Sequence, residues 1–350
     1  MTTLEVRKDD PHTTRYTEDE PTPAEGQVVA RVRHFGLSAN NITYGLLGDA
    51  IGYWRVFPAN DPGWGRLPVW GVAEVVASAN PEVATGELLF GYVPMGTHLV
   101  LTPGRVSARS LTDASAHRSA LAPAYNNYRR LETDALYDPD HPGELPLFLP
   151  LFALSFLLDA YLADRAPTVV VSSASSKSSL GLARLLTARG VDVVGLTSPR
   201  NAAFVAGLEV YSATVTYDRV ADLPTTRSVF ADVAGNPEVR RAVHEHLGDR
   251  LVESVLVGAT HKTLDSSGRP LPGPEPTWFF TPDHMRERIT AWGAAEFDRR
   301  FGAALRDFAA WTRTWLTITT STGQDEVRAT YLSVLDGTAD PATGHILTVG

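Results

Sequence analysis

The sequence of 350 residues contains no cysteine. This absence excludes disulfides, a thiolate nucleophile and a cysteine-ligated zinc site, and it fits a reducing cytoplasm. Basic residues are also scarce, since 31 Lys and Arg stand against 40 Asp and Glu, the net charge is -9, and no run of cations occurs. Because neutralising phosphates requires clustered Lys and Arg, we expect no nucleic-acid partner.

Long apolar segments are missing as well. Residues 1–16 are polar and contain no stretch of signal-peptide length. The longest apolar stretch, residues 145–158, is too short for a bilayer and is interrupted by Pro146, Pro150 and Ser155. We therefore predict that it is a buried helix, and that the protein is cytoplasmic with no membrane partner.

The most informative segment is the serine-rich turn at residues 172–181, which reads Ser-Ser-Ala-Ser-Ser-Lys-Ser-Ser-Leu-Gly. It follows a valine-rich strand and precedes a helix, whose N-terminal N–H groups and partial positive charge favour an anion. The pattern predicts a phosphate-binding loop whose contacts come from Ser173, Ser175, Ser176, Lys177, Ser178 and Ser179. The alternative is that the serines only cap the first turn of the helix. A triphosphatase loop is disfavoured because its preceding glycines are absent.

A second signal follows the next predicted strand, residues 191–196. A Rossmann fold that prefers NAD carries an acidic residue there to bind the ribose diol. This chain instead has the segment Thr197, Ser198, Pro199, Arg200 and Asn201. An arginine flanked by hydroxyl and amide donors suits a 2′-phosphate, so the predicted cofactor is NADPH, bound here by Thr197, Ser198, Arg200 and Asn201.

The order of elements predicts an α/β protein in two parts. Short valine-rich alternating runs up to residue 101 indicate a β-rich first part. From residue 147 a long helix is followed by strands alternating with helices to residue 257, which predicts a parallel sheet. After a Gly- and Pro-rich loop at 268–276 we predict a helical stretch at 282–311 and a final pair of strands at 316–320 and 327–335.

Several motifs resemble those of the medium-chain dehydrogenase/reductase superfamily, in its zinc-independent, quinone-reductase-like form. Residues 20–29 resemble the opening E-x-P-x-P-x-x-G-x-V-x-V, and residues 35–41 resemble V-G-L-N-x-x-D. Residues 68–76 and 86–91 are similar to P-G-x-E-G-x-G-x-V and G-D-R-V-x-G. The strings at 40–44, 52–54, 172–177 and 258–261 are most similar to a bacterial branch grouped as a domain of unknown function.

The resemblance implies a GroES-like β-rich catalytic domain at residues 1–145 and a Rossmann domain with a doubly wound parallel sheet at 146–275, led by an interdomain helix. Residues 276–350 would return to the catalytic domain, and a cleft between the domains would take the nicotinamide and a small-molecule substrate. A homodimer is compatible with this likeness. The phosphate loop of such relatives reads A-x-x-G-G-V-G, so Ser178 and Ser179 replace two glycines, and we expect their hydroxyls, with Lys177, to bind the phosphate instead. Tyr217 would flank the adenine, Gly235 would follow the fourth strand, and Gly258 would lie where backbone meets the nicotinamide.

The chemistry has to proceed without a cysteine-ligated zinc, and no histidine cluster has ligand spacing, so we predict no metal. Hydride addition leaves negative charge that fixed donors must stabilise. Asn41 and Tyr44 are the predicted donors because their segment lines the cleft by resemblance, and Tyr44 can deliver the proton. His261, after the predicted fifth strand, is the third candidate. The alternatives are a half-buried aromatic at a strand end for Tyr44, a turn former for Asn41 and a structural histidine for His261.

The predicted function is an NADPH-dependent, zinc-independent oxidoreductase that reduces an enone, a quinone or a related carbonyl. A set of aromatic residues would form an apolar substrate pocket or, alternatively, a satellite core under a long loop: Tyr53, Trp54, Phe57, Trp64, Tyr125 and Tyr128. Other functions also fit the sequence. One is a non-catalytic NADPH sensor or partner-binding protein, and another is a biosynthetic enzyme of the same fold that acts on an acyl-thioester or performs redox-neutral chemistry.

Overall fold

The computed structural model describes residues 1–20, 22–162, 164–258 and 270–350. In chain order the strands are β1 (Thr2–Arg7), β2 (Thr14–Glu18), β3 (Val28–Leu37), β4 (Trp64–Gly65), β5 (Pro68–Ser78), β6 (Leu88–Pro94), β7 (His98–Leu101), β8 (Pro103–Val106), β9 (Ser110–Asp113), β10 (Asn127–Arg130), β11 (Thr168–Ser172), β12 (Asp192–Thr197), β13 (Ala213–Thr216), β14 (Ser228–Asp232), β15 (Leu251–Leu256), β16 (Thr277–Trp278), β17 (Thr317–Thr322) and β18 (Thr343–Thr348). The α-helices are α1 (Ala39–Leu46), α2 (Gly48–Ile51), α3 (Glu144–Leu162), α4 (Lys177–Ala188), α5 (Ala202–Gly207), α6 (Pro237–Leu247), α7 (Thr281–Trp292), α8 (Ala294–Thr312) and α9 (Gln324–Leu335).

The chain divides into two compact units. The first contains Met1–Pro150 and Trp311–Gly350, and the second contains Leu151–Ala310. These divisions differ from the predicted boundaries at 146 and 276, because aromatic side chains of α8 pack on the second half of α3. The ring of Phe152 lies 4.8 Å from that of Phe308, and the ring of Phe156 lies 5.5 Å from that of Phe301. Residues 276–310 therefore belong to the second unit.

The first unit is β-rich, as predicted. Its main sheet has the strand order β17-β18-β3-β5-β6-β10-β9-β8, with β7 paired to β3, and a smaller sheet has the order β2-β1-β4. The predicted strand at 327–335 is wrong, since these residues lie in α9. Val327, Tyr331 and Val334 are buried at the spacing of one helical face, and the strand that pairs with β17 is β18.

The second unit contains a fully parallel sheet in the order β13-β12-β11-β14-β15-β16. Counted along the chain this is the order 3-2-1-4-5-6 of a Rossmann fold, so the predicted doubly wound sheet is confirmed. Strand β11 is buried throughout, as expected for a central strand covered on both faces. The strand order reverses on either side of β11, and ligands of such sheets bind at the carboxyl ends of the strands near that point.

Helix α3 is the long apolar helix that the sequence predicted. Its mean hydropathy of 1.9 and its 19 residues would allow it to cross a membrane by length and composition alone. However, 72% of that apolar window is buried inside the protein, as in the core helix of a soluble fold. The helix also contains Pro150, and Phe148 and Phe152 are each 1% exposed.

Candidate functional site

The loop between β11 and α4 is held in a defined bend. Ser173 has a φ of 53°, in the left-handed region that usually favours glycine. Its amide donates to the hydroxyl of Tyr217 at 3.0 Å, and its carbonyl accepts from the amide of Ser176 at 2.8 Å. Burial raises the pKa of Tyr217 to about 12. A neutral tyrosine from the segment after β13 thus fixes the first residue of the serine-rich loop.

Two serines of the loop bond inside it. Ser176 caps α4: its oxygen accepts from the amide of Ser179 at 3.2 Å, and its hydroxyl donates to the Ser179 hydroxyl at 2.9 Å. The Ser179 hydroxyl donates to the carbonyl of Ser172 at 3.0 Å, and Ser179 is completely buried. The prediction that the Ser179 hydroxyl contacts a phosphate therefore does not fit this structure. Ser179 stands where the family pattern has a glycine, and its hydroxyl bonds inside the loop. This agrees with the alternative that the serines cap the first turn of the helix.

The one glycine retained in this motif has a packing role. A Cβ atom at Gly181 would lie 2.8 Å from the Oγ atom of Ser155, so only glycine lets α4 approach α3 this closely. The Ser155 hydroxyl donates to the carbonyl of Ser178 at 2.7 Å, and Ser178 is itself 8% exposed. Glycine and serine together anchor the first turn of α4.

Four residues of the loop remain partly accessible. Ser173, Ser175, Ser176 and Lys177 are half-buried at its surface. Ser178 lies in the first turn of α4, where the backbone amides of a helix have no partner within the helix. A helix N-terminus with an accessible lysine favours an anion, so this face of the loop can still bind phosphate through backbone and Lys177.

At the end of β12 the predicted residues separate into two groups. Thr197 is 1% exposed and its backbone pairs with Thr216 of β13, so it is a buried residue of the sheet. Ser198 is half-buried, and Arg200 is exposed on the short 3-10 turn Pro199–Asn201. The Asn201 amide donates to the Ser175 hydroxyl at 3.0 Å. The structure therefore brings the two predicted phosphate-binding segments together.

A buried carboxylate connects this loop to the end of β14. Asp232 is completely buried and accepts from the hydroxyl of Ser172, the amide of Gly235 and the Nε atom of Arg240, each at 2.9 Å. The Ser172 oxygen in turn accepts from the amide of Ala234 at 2.9 Å. Burial raises the pKa of Asp232, and Arg240 opposes that effect. Gly235 of this segment was among the predicted site residues, but Asp232 was not.

The end of β15 lies against the same segment. A Cβ atom at Gly258 would lie 2.1 Å from the carbonyl oxygen of Val233, so only glycine fits. Gly235 has a φ of 64°, which also favours glycine. Both predicted glycines thus stand where backbone conformation or contact requires them. His261 lies outside the described residues.

In the first unit, Asn41 has a structural role. It is 3% exposed, its oxygen accepts from the amide of Ser38 at 2.9 Å, and its nitrogen donates to the carbonyl of Pro68 at 3.2 Å. It forms a capping box at the start of α1 and attaches that helix to β5. This differs from the predicted stabilisation of substrate charge, because both ends of the amide are already bonded to backbone.

Tyr44 is 7% exposed, and its hydroxyl oxygen accepts two hydrogen bonds. The side-chain nitrogen of Asn40 donates at 2.7 Å, and the indole nitrogen of Trp70 donates at 3.3 Å. Burial raises the pKa of Tyr44, and hydrogen bonding from the hydroxyl of Tyr92, from Trp70 and from Asn40 opposes that rise. Its phenol therefore keeps its proton at neutral pH. The sequence analysis missed Asn40, although its spacing of four residues from Tyr44 on a helix was the available signal.

The aromatic residues predicted to form a substrate pocket fall into two groups in the structure. Tyr53 stacks on Tyr44 with ring centroids 4.3 Å apart, and its hydroxyl bonds that of Tyr125 at 3.0 Å. Tyr92, which the sequence analysis did not select, lies 5.8 Å from Tyr44 and 4.3 Å from Trp70. The other predicted aromatics serve the core or stack with arginines: Trp54 packs near Gly48 and Gly65, Phe57 and Tyr128 face Arg118, and Trp64 lies under Arg15.

Among the described residues, one group of side chains could offer three ligands to a metal ion. The ligand atoms of Asp138, His141 and Glu144 lie within 4.8 Å of one another. Arg313 already donates to both oxygens of Glu144, at 2.6 and 2.7 Å, and to Asp138 at 3.3 Å. One guanidinium thus already pairs with both carboxylates, and we interpret the group as an ion-pair network. The sequence-based expectation of no metal stays a prediction.

Comparisons with known proteins agree with this architecture. The profile of a family described as protein of unknown function (DUF2855) matches residues 35–340. A search of curated protein sequences finds no significant match. Among solved structures, CurA from Vibrio vulnificus in complex with NADPH is similar, with a TM-score of 0.64, 14% sequence identity and coverage of 100% of this chain and 99% of that one.

Two further solved structures have the same fold. The quinone oxidoreductase of Pseudomonas syringae pv. Tomato DC3000 has a TM-score of 0.60 and 15% identity, with 99% of each chain covered. The yhdH oxidoreductase from Salmonella enterica in complex with NADP has a TM-score of 0.55 and 14% identity, with 100% of each chain covered. These likenesses confirm a GroES-like domain with a Rossmann domain. The chain therefore belongs to the DUF2855 family, and its fold is that of the medium-chain dehydrogenase/reductase superfamily.

Proposed function

We propose that this protein is an NADPH-dependent oxidoreductase that reduces an enone, a quinone or a related carbonyl compound. The observation that carries the proposal is the clustering of Lys177, the first turn of α4 and the segment of Arg200 at the carboxyl edge of β11 and β12, tied by the bond between Asn201 and Ser175. Similar structures were solved with NADPH or NADP, which supports this choice of cofactor.

The donors at this edge fit a dinucleotide phosphate. The dipole of α4 and Lys177 favour the diphosphate, and Ser173, Ser175 and Ser176 offer accessible polar groups beside it. The segment after β12 has no carboxylate that would repel a 2′-phosphate, and Arg200 is exposed there. Bound NADPH would supply the hydride.

The proton is assigned to Tyr44. Hydride addition to a conjugated carbonyl leaves negative charge on the substrate, which a positioned acid neutralises. Because burial raises the pKa of Tyr44, the phenol stays protonated at neutral pH and can act as that acid. Asn41 supports it indirectly by attaching α1 to β5. The aromatic rings of Tyr53, Tyr92 and Trp70 near Tyr44 favour an apolar, planar substrate.

The cofactor assignment is tested by titrating NADPH and NADH into the wild type and Arg200→Ala and following nicotinamide fluorescence. A charged hydrogen bond to phosphate contributes about 1.5–3 kcal/mol, so we expect the Kd for NADPH to rise roughly tenfold or more while the Kd for NADH stays constant. Arg286→Ala is the matched control, since Arg286 is exposed on α7 and pairs with Asp283. Equal affinities for the two cofactors in the wild type would contradict the proposal.

The reaction is tested by scanning enones and quinones for oxidation of NADPH. Tyr44→Phe removes only the hydroxyl, and we expect turnover to fall by about 10²-fold or more with an unchanged Kd for NADPH. Tight NADPH binding without oxidation by any acceptor would favour the sensor alternative instead.

A further inference from the structure

The environment of the Tyr44 hydroxyl is unusual because two N–H groups converge on one phenol oxygen. Asn40 donates from one helical turn earlier on α1, at 2.7 Å, and Trp70 donates from β5, at 3.3 Å. The hydroxyl group has one hydrogen to donate, and its oxygen is the acceptor for both neighbours. Its own hydrogen must therefore point away from Asn40 and Trp70.

We propose that Asn40 and Trp70 are positioning residues that hold the oxygen of Tyr44 and direct its hydrogen towards the substrate. This inference rests on the proposed function. In the proton-transfer step the O–H bond of Tyr44 breaks and its proton joins the atom that became negative when the hydride of NADPH was added. The electron pair stays on the phenolate oxygen, which then regains a proton from water. NADPH is oxidised, and the substrate gains two hydrogens.

The two donors matter most while the proton is leaving. Negative charge grows on the phenol oxygen at that moment, and fixed N–H groups aimed at it stabilise the charge without reorganisation. Burial alone disfavours the phenolate, as the raised pKa of Tyr44 indicates, so these donors are what keep proton transfer accessible. Of the neighbouring aromatic residues, Tyr92 also lowers the pKa of Tyr44 through its hydroxyl, whereas the hydroxyl of Tyr53 bonds that of Tyr125.

The fold holds the two donors in place by separate contacts. Asn41 attaches the start of α1 to Pro68 at the start of β5, two residues before Trp70. The indole of Trp70 packs against Tyr92 at 4.3 Å and against Phe90 at 5.6 Å. Consequently Trp70→Phe keeps an aromatic ring in the same layer and removes the Nε1–H group.

The hydrogen bond itself is tested without any substrate by ¹⁵N NMR of the tryptophan indole groups. The Trp70 resonance is assigned by its loss in Trp70→Phe. In Tyr44→Phe, which keeps the ring and removes the oxygen, we expect this resonance to move. In the control Tyr53→Phe it should stay, because that hydroxyl bonds Tyr125. A Trp70 resonance unmoved in Tyr44→Phe would overturn the inference.

The positioning role is tested by kinetics in two backgrounds. Trp70→Phe and Asn40→Leu should each lower kcat about three- to tenfold with little change in KM, because each removes one hydrogen bond to the developing charge. In the Tyr44→Phe background the same changes should have no further effect, and Asn40→Gln, which keeps an amide N–H, should retain more activity than Asn40→Leu.

The outcomes separate the two claims. Equal losses in both backgrounds would overturn the positioning role and leave the proposed reaction standing. If the wild type failed to bind NADPH or to reduce any acceptor, the proposed function would be overturned. The catalytic role of the bonds from Asn40 and Trp70 to Tyr44 would then be overturned as well, whatever the NMR result.

Discussion

The buried carboxylate of Asp232 offers the sharpest test of how the second unit is assembled. In Asp232→Ala the hydroxyl of Ser172, the amide of Gly235 and the guanidinium of Arg240 all lose their acceptor. Removing one partner of a buried ion pair costs about 3–5 kcal/mol. The side chain of Arg240 is 15% exposed and water can reach it, so we expect the lower end, about 3 kcal/mol of unfolding free energy.

Two companion variants separate the contributions. Asp232→Asn keeps an oxygen for Ser172 and Gly235 and loses the ion pair with Arg240, so we expect a smaller loss, about 1–2 kcal/mol. In the double variant Asp232→Ala with Arg240→Ala no charge is left unpaired, and the total loss should be smaller than the sum of the two single losses.

Urea unfolding followed by circular dichroism measures these differences, and NADPH titration of the folded variants reports on the loop. Because Ser172 immediately precedes the serine-rich loop, we also expect Asp232→Ala to weaken NADPH binding more than Asp232→Asn does. Our reasoning would be refuted if Asp232→Ala lost less than about 1 kcal/mol, or if the double variant lost the full sum of the single losses.

Two further predictions concern single residues. Gly258→Ala should disrupt folding or cofactor binding, because its Cβ would lie 2.1 Å from the carbonyl oxygen of Val233. The control Gly207→Ala, whose Cβ would have no atom within 4 Å, should be neutral or stabilise the protein by up to about 1 kcal/mol. Comparable melting temperatures for the two variants would contradict this prediction. Burial lowers the pKa of His244, whose ring bonds the carbonyl of Pro272 and a serine hydroxyl. The unfolded chain therefore binds the proton more readily, and stability should fall as pH drops below the ordinary histidine pKa of about 6.5, with a smaller dependence in His244→Gln. The assignment would be contradicted if the urea midpoints of the wild type and of His244→Gln changed equally with pH across this range.

Local patterns were sufficient for the alternation of strands and helices in the parallel sheet of the second unit. Valine-rich runs separated by helical segments predicted the alternation from β11 to β15, because a buried parallel strand needs a continuous apolar run and a crossover helix must follow it. The same reasoning failed near the C-terminus, where residues 327–335 form α9. There Val327, Tyr331 and Val334 are strand formers by residue type, and their helical spacing was mistaken for a strand.

For the candidate site, the sequence determined which residue types stand at the strand ends and at the start of α1, and tertiary contacts decided what their polar groups do. Ser179 and Asn41 both carry groups that could bind a ligand, yet Ser172 and Pro68 occupy them. Asn40, in contrast, donates to Tyr44 from one turn earlier on the same helix, whereas Trp70 reaches that oxygen only because α1 lies beside β5, to which Asn41 attaches it. A periodic pattern is a short-range property that the chain encodes directly. The partner of a buried donor depends on which distant segments pack beside it, and that is settled only when the fold forms.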